Sequence, residues 1–343
     1  MKNSDLAPSN RKAKWILLLF TLCLGVLFLC SFLLGRYAVS AGDVVKILFS
    51  RFFPLDITLD NNMRIAVLNV RLPRILLACL VGCCLSAAGT AYQSVFQNPM
   101  AAPDILGASS GACFGAALGI LIGQSKTGIT IFAFLFSLLT VALVYIIGSR
   151  TRGNPVISIL LAGIMISSLF SAGTSYIKLV ADPASQLPEI TYWLMGSLSG
   201  ARMNDVKFVI VPMLVGLVPL FLLRWRINIL TLGEEEATAI GVNTRYLRLG
   251  TVLCATVLTA ASVSVSGMIG WVGLVIPHLC RRLVGNNCRY LIPASMIGGA
   301  LFLLLVDTIS RNLLSVEIPI GILTAFVGAP FFIWLMMRKE SGI

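Results

Sequence analysis

Ten stretches of this chain, at roughly 15–35, 72–94, 104–123, 127–149, 156–177, 206–224, 247–267, 268–284, 291–310 and 318–337, are apolar over a length near that of a bilayer's hydrocarbon core. A helix needs about 20 such residues to cross that core. Inside lipid no water satisfies backbone N–H and C=O groups, so each segment must close its hydrogen bonds internally. The expected fold is therefore an all-α polytopic membrane protein of about ten transmembrane helices, with the lipid bilayer as its solvent. Charged residues make up 12% of the 343 positions, against roughly 25% in a soluble domain. The first span, Trp15 to Gly35, is too long for a cleaved signal and has no small-residue cleavage site before Arg36, so it is expected to be retained. Nothing divides the chain, and residues 1–343 read as one domain.

The formal net charge of +12 does not require nucleic acid, because basic membrane proteins follow the positive-inside rule. With the N-terminus inside and ten spans, 15 of the 26 Lys and Arg fall inside and 11 outside. The bias is weak for a local reason. Six of the outer eleven, Arg36, Lys46, Arg51, Arg64, Arg71 and Arg74, lie in one stretch after the first span.

Pro99, Pro103 and Pro277 interrupt apolar runs, which lipid tolerates only where backbone is buried in protein or lines a cavity. A shift of 174 residues places Arg71-Leu-Pro-Arg74 on Arg245-Tyr-Leu-Arg248, Pro103 on Pro277 and Gly111 on Gly285. The two copies enter the membrane from opposite sides, as in the inverted repeats of transporters. Outside the spans, Ser40-Ala-Gly-Asp43 opens a surface helix through Phe49, while Asp182-Pro183 and Leu187-Pro188 mark turns.

The largest polar surface on the inner side lies at about 225–248. Leu232-Gly-Glu-Glu-Glu-Ala-Thr-Ala-Ile-Gly241 reads as a short helix with acids in its first turn, offsetting the macrodipole, and Gly241 as its stop. Such a helix suits docking to a partner. The chain needs one, since it has no Gly-Lys dipeptide and hence no phosphate-cradling G-x-x-x-x-G-K-[ST] loop.

Other reactive residue types read as structural. The nine cysteines lie mostly within apolar segments without a C-x-x-C and pack as small hydrophobes. His278, the single histidine, cannot make a metal site alone. Asp307 is expected to pair with Arg311 four residues on rather than to serve as a pathway carboxylate. The eleven methionines form no helical stripe. No catalytic and no metal-binding residues are assigned.

At this point a resemblance emerges. Arg71-Leu-Pro-Arg74, Gln97-Asn-Pro-Met-Ala-Ala-Pro-Asp-Ile-Leu-Gly107, Gly270-Trp-Val-Gly-Leu-Val-Ile-Pro-His278, Asp307 with Arg311, and Glu317-Ile-Pro-Ile-Gly321 with Gly328-Ala-Pro330 together resemble the permease subunits of bacterial ATP-binding-cassette importers for ferric siderophores, haem and vitamin B12. The resemblance covers nearly the whole chain. It implies a multi-pass subunit of the bacterial inner membrane that pairs with a second copy or a close paralogue, with the path between them. It also implies two cytoplasmic ATP-binding subunits below and a periplasmic or lipid-anchored substrate-binding protein above. ATP and Mg would sit on the partner subunits, with no cofactor on this chain. Leu232, Gly233, Glu234, Glu236, Ala237 and Gly241 match the segment that seats in the ATPase. Arg71, Arg74 and Arg311 match outer arginines that dock the binding protein, the alternative for Arg71 and Arg74 being headgroup anchoring of a helix end. Asn154, Pro155, Val156 and Ile157 match in position the inner gate. The favoured cargo is a ferric siderophore, with haem or vitamin B12 as alternatives. An ion-coupled secondary transporter would need membrane-buried coupling carboxylates, and a membrane enzyme a convergent polar constellation; intramembrane Asp, Glu, His and Lys are scarce.

Overall fold

The computed structural model describes residues 10–35, 37–50, 60–151, 155–231, 239, 241 and 243–337. Among these residues the chain is helical throughout, without strands. In chain order the helices are α1 (Asn10–Leu33), α2 (Ala41–Phe49), α3 (Asn61–Ile65), α4 (Leu72–Val95), α5 (Ala108–Leu121), α6 (Lys126–Arg150), α7 (Pro155–Val180), α8 (Gln186–Leu194) and α9 (Met203–Leu230), followed by α10 (Thr244–Ser266), α11 (Val272–Val284), α12 (Cys288–Asn312) and α13 (Ile320–Met337). The expected surface helix is α2, opened by Ser40, whose hydroxyl accepts from the Asp43 N–H at 3.2 Å.

Among the described residues seven helices, α1, the continuous α3–α4 rod, α6, α7, α9, α10 and α12, are long and apolar enough to cross a membrane. The other three predicted spans form shorter helices. α5 has 14 residues, about 21 Å at 1.5 Å per residue, because the start of the predicted segment is taken up by a tight 3₁₀ turn at Pro103–Leu106 and by Gly107 at φ 75°. α11 has 13 residues. It is set off from α10 by the corner Gly267–Trp271, where Gly267 (φ 66°) and Trp271 (φ 70°) turn the chain. Positive φ is uncommon for a bulky residue, and Trp271 is held there by packing on Gly328 and Phe332. Pro103 opens its turn whereas Pro277 lies within α11, so the positions matched by the 174-residue shift differ in local structure.

The α3–α4 rod begins eleven residues before the predicted span, at Asn61, and passes through a π-helical turn at Ala66–Arg71. Pro73 explains that turn. A proline has no N–H to give the preceding turn and crowds the carbonyl four residues back, so the ladder widens just ahead of it, with the Leu72 N–H bonding Val67 O.

α4 is the most buried span, with 78% of its apolar window inside the bundle, while α1 at 11% is peripheral. Around α4 pack α9, α10, α11 and α12, and α5, α6 and α7 form a second layer. Lipid supplies no hydrophobic drive between helices, so close backbone approach through small residues carries the packing. Gly82 of α4 meets Gly299 of α12, Gly89 meets Gly273 of α11, and Gly111 and Gly115 of α5 meet Thr140 and Phe132 of α6. Buried hydroxyls bond the carbonyl one turn back, as in Thr90 to Ser86 O (3.0 Å), Thr256 to Val252 O (2.8 Å) and Ser262 to Leu258 O (2.7 Å), leaving none of these groups exposed to hydrocarbon.

A Cβ at Gly89 would overlap the Gly273 carbonyl, which as backbone cannot swing aside. Gly89→Ala is expected to cost about 1–3 kcal/mol as an overpacking defect and to lower the folded fraction in detergent. Gly25, with nothing within 4 Å of an added Cβ, is the control. Equal melting temperatures for the Gly89→Ala and Gly25→Ala variants would rule out the close α4–α11 contact.

Candidate functional site

The α3–α4 rod places Arg71 and Arg74 three residues apart, on one face of the helix, at the end predicted to face outside. The last turns of α12 bring Asp307 and Arg311 to the same level, and the connection from α12 to α13 adds Glu317. Arg74 donates from Nε to Asp307 Oδ1 at 2.8 Å and from Nη1 to Glu317 Oε2 at 2.7 Å. Arg311 Nε lies 3.1 Å from the other oxygen of Asp307. Arg71 points its guanidinium at main chain, donating to Phe32 O at 2.5 Å and to Tyr37 O.

All three arginines are buried, at 5%, 5% and 7% exposure for Arg71, Arg74 and Arg311. Asp307 is fully buried, whereas Glu317 retains 29%. Buried charge is tolerable only when paired and hydrogen-bonded. Among the described residues three cations here meet two carboxylates, so one positive charge is left over, and Arg71 has carbonyl partners rather than a carboxylate. Arg71, Arg74, Arg311 and Glu317 line a cavity of about 220 Å³ that is also bounded by Gly35, Tyr37, Ala66 and Val70. Val70 and Tyr37 are exposed at its rim. Outside the spans, a 3.0 Å hydrogen bond to Asp60 raises the Tyr37 phenol above its ordinary pKa. A second outer cavity of about 280 Å³ is lined by Lys126, Glu189, Tyr192 and Asp205 among others, with Lys126 3.6 Å from Asp205.

The three arginines singled out in the sequence thus converge on one cavity, and the expected Asp307–Arg311 pair forms. Sequence reasoning missed Arg74 with Asp307, 233 residues apart, and the part of Glu317, which stood in a recognised motif without a partner. The headgroup-anchor reading of Arg74 does not describe its geometry, since its nitrogens face carboxylates inside the bundle. The arrangement can capture an anion. It contains no nucleophile–base pair. Among the described residues no three His, Cys, Asp or Glu gather as for a metal ion.

At the inner end, Leu232, Gly233, Glu234, Glu236 and Ala237 lie outside the described residues, as does Asn154. Gly241 has φ 82° with nothing within 4 Å of an added Cβ, so its conformation, not crowding, calls for glycine there. The helix expected over 232–241 lies for the most part outside the described residues. Flanking it, α9 ends at Leu230 and α10 starts at Thr244 behind Asn243, whose side chain accepts from the Tyr246 N–H at 3.2 Å. The α9 end is fixed to its neighbours. Gln97 donates to Leu230 O at 2.7 Å, and the Cys288 N–H donates to Asn228 Oδ1 at 3.2 Å. Arg281 adds a 3.0 Å bond to Gln93. Pro155 begins α7, where a missing N–H costs least, and Ile157 is 55% exposed on its first turn.

The sequence matches the FecCD transport family over residues 22–338. The chain belongs to that family. Among FecCD-like relatives, the molybdate import system permease protein MolB of Haemophilus influenzae is 40% identical over 327 residues, covering 95% of this chain and 96% of that one. The hemin transport system permease protein HmuU of Yersinia pestis is 39% identical over 282 residues, covering 80% and 84%. A solved structure described as an inward-facing metal-chelate type ABC transporter superposes with a TM-score of 0.85 at 38% identity, covering 95% of this chain and 99% of the other. This FecCD protein is accordingly an ATP-binding-cassette transporter permease, a multi-pass protein of the inner membrane. Its relatives are transport subunits rather than enzymes.

Proposed function

We propose that this FecCD permease crosses the membrane ten times as an inverted repeat and, paired with a second copy or a paralogue, opens alternately to either side for a metal chelate. Two ATP-binding subunits drive it through the 225–248 segment, hydrolysing ATP with Mg outside this chain, and the gate lies at Asn154–Ile157. Broad apolar faces on α7 (Ile164, Leu169), α9 (Val211, Leu222) and α13 (Phe326, Ile333) are exposed in the single chain and supply surface for the second copy and for lipid. The observation that carries the reading is the arginine-lined outer cavity on a chain that matches a metal-chelate type ABC transporter over 95% of its length. A substrate-binding protein would dock there by placing a carboxylate among Arg71, Arg74 and Arg311. That contact also adds long-range steering, screened over about 8 Å at physiological salt.

Arg71→Gln removes a cavity charge without unpairing a carboxylate, since among the described residues Arg71 bonds only carbonyls. The expected outcome is about a tenfold loss of binding-protein affinity per folded permease, with a shallower salt dependence. An acid-to-neutral change in the binding protein at the facing position should then cost little more. Reduced abundance with normal affinity per molecule would exclude docking at Arg71.

For cargo we favour a ferric siderophore, on the likeness of Ala102-Pro103-Asp104 to ferric-chelate members. The 40% identity to a molybdate permease over nearly the full chain supports a second reading, an oxyanion. Uptake of labelled ferric siderophores, haem, cobalamin and molybdate by a strain carrying or lacking this permease separates them: ferric-siderophore uptake lost on deletion supports the first, and loss of molybdate uptake alone overturns it.

A further inference from the structure

The acidic members of the outer cluster are not equivalent. Asp307 is fully buried and shared by Arg74 and Arg311, so it is fixed in the bundle. Among the described residues Glu317 pairs with Arg74 alone; it keeps 29% exposure at the cavity and sits on a helix-free connection whose neighbours Leu313, Leu314 and Val316 are exposed. That connection is otherwise held at its far end: Ser310 donates to Ile318 O at 2.6 Å, and the Gly321 N–H reaches Gly196 O at 3.2 Å. At Gly321, the first turn of α13 touches the carbonyls of Met195 and Met268 so closely that no Cβ fits. Among the described residues, Arg74 Nη2 is buried without a hydrogen-bond acceptor. Arg74 therefore has capacity for one more acceptor in a cavity that already carries an excess positive charge.

We propose that Glu317 is an internal stand-in for the docking carboxylate. In the free permease it occupies Arg74, and an incoming carboxylate of the substrate-binding protein takes over that guanidinium and releases the α12–α13 connection. Docking outside is thereby linked to the start of α13, one of the exposed faces available to a second permease copy. The proposal rests on the docking reading above and adds a competitor to it. Competition sets the sign of the effect. Removing Glu317 frees Arg74 in advance, so the partner no longer displaces anything, and the cavity becomes more positive.

The test uses the assembled importer in nanodiscs with its purified substrate-binding protein, and compares the wild type with Glu317→Gln, Glu317→Asp and Arg74→Gln. Glu317→Gln is expected to bind the partner about fivefold more tightly and, without partner, to exchange the backbone amides of 313–318 faster. Glu317→Asp keeps the charge but shortens the reach, and should show the same faster exchange. Arg74→Gln should weaken binding. Unchanged or weaker binding by Glu317→Gln while Arg74→Gln still loses affinity overturns the stand-in and leaves docking intact. Unchanged binding by Arg74→Gln overturns docking and the stand-in together. Exchange of 313–318 that is unaltered in both Glu317 variants shows that the ion pair does not hold the connection, which also overturns the proposal.

Discussion

Replacing Asp307 by Asn is expected to destabilise the permease by about 3–5 kcal/mol, the cost of leaving a buried charge without its partner. Asp307 is fully buried and binds two arginines that are themselves almost inaccessible. Asparagine fits the space but brings no charge, so the cavity would hold three cations against Glu317 alone. Arg311 would keep its 2.6 Å bond to Ser31, which is neutral. The loss should appear as reduced folded permease in the membrane and a lower melting temperature. Glu317→Gln should cost much less, because Glu317 is partly exposed and its pair is screened. A double change, Asp307→Asn with Arg311→Met, should recover part of the stability lost by Asp307→Asn, since contacting residues are not additive. If Asp307→Asn melts like the wild type, the cluster does not hold the outer ends of α4 and α12 together.

Gly241→Val is expected to cut transport per ATP by about tenfold while leaving insertion unchanged. The Gly241 backbone is left-handed, φ 82°, a conformation that costs a residue with a Cβ roughly 1–2 kcal/mol. Nothing crowds the site, so the strain would be relieved by turning the chain before α10, which re-aims the acidic segment ahead of it. Glu234→Lys with Glu236→Lys acts on the same surface through charge and should weaken ATPase association. The check is the ratio of cargo moved to phosphate released in proteoliposomes, alongside co-purification of the ATPase. Normal ratios and normal assembly in both variants would remove the coupling role from this segment.

Much of the membrane architecture was legible in the residues because length and apolarity alone mark a bilayer crossing. Every predicted apolar segment contains a helix, and the surface helix opened by Ser40 forms as read. Helix ends were less legible. The Asn61–Arg71 run, whose apolar residues are broken up by Asn61, Asn62, Arg64, Asn69 and Arg71, does not read as part of a span, yet it continues α4 upward through a turn that Pro73 imposes from beyond it. Similarly, apolar residues at 105–107 and 268–271 go into corners, where glycine and backbone geometry decide and hydropathy does not. At the candidate site, the i,i+4 spacing gave Asp307–Arg311 because a single helix dictates it. Arg74 with Asp307 and Glu317 depends on how α4 packs against α12, through Gly82 on Gly299, and local spacing carries no trace of that.

The most direct measurement of the central reading is cargo uptake by the purified permease reconstituted with and without its ATP-binding subunits and substrate-binding protein. The expected result is accumulation that requires ATP on the inner side and both partners, persists when proton and sodium gradients are collapsed, and falls with Arg71→Gln and Gly241→Val. Uptake by the permease alone, driven by an imposed ion gradient and indifferent to ATP, would contradict it.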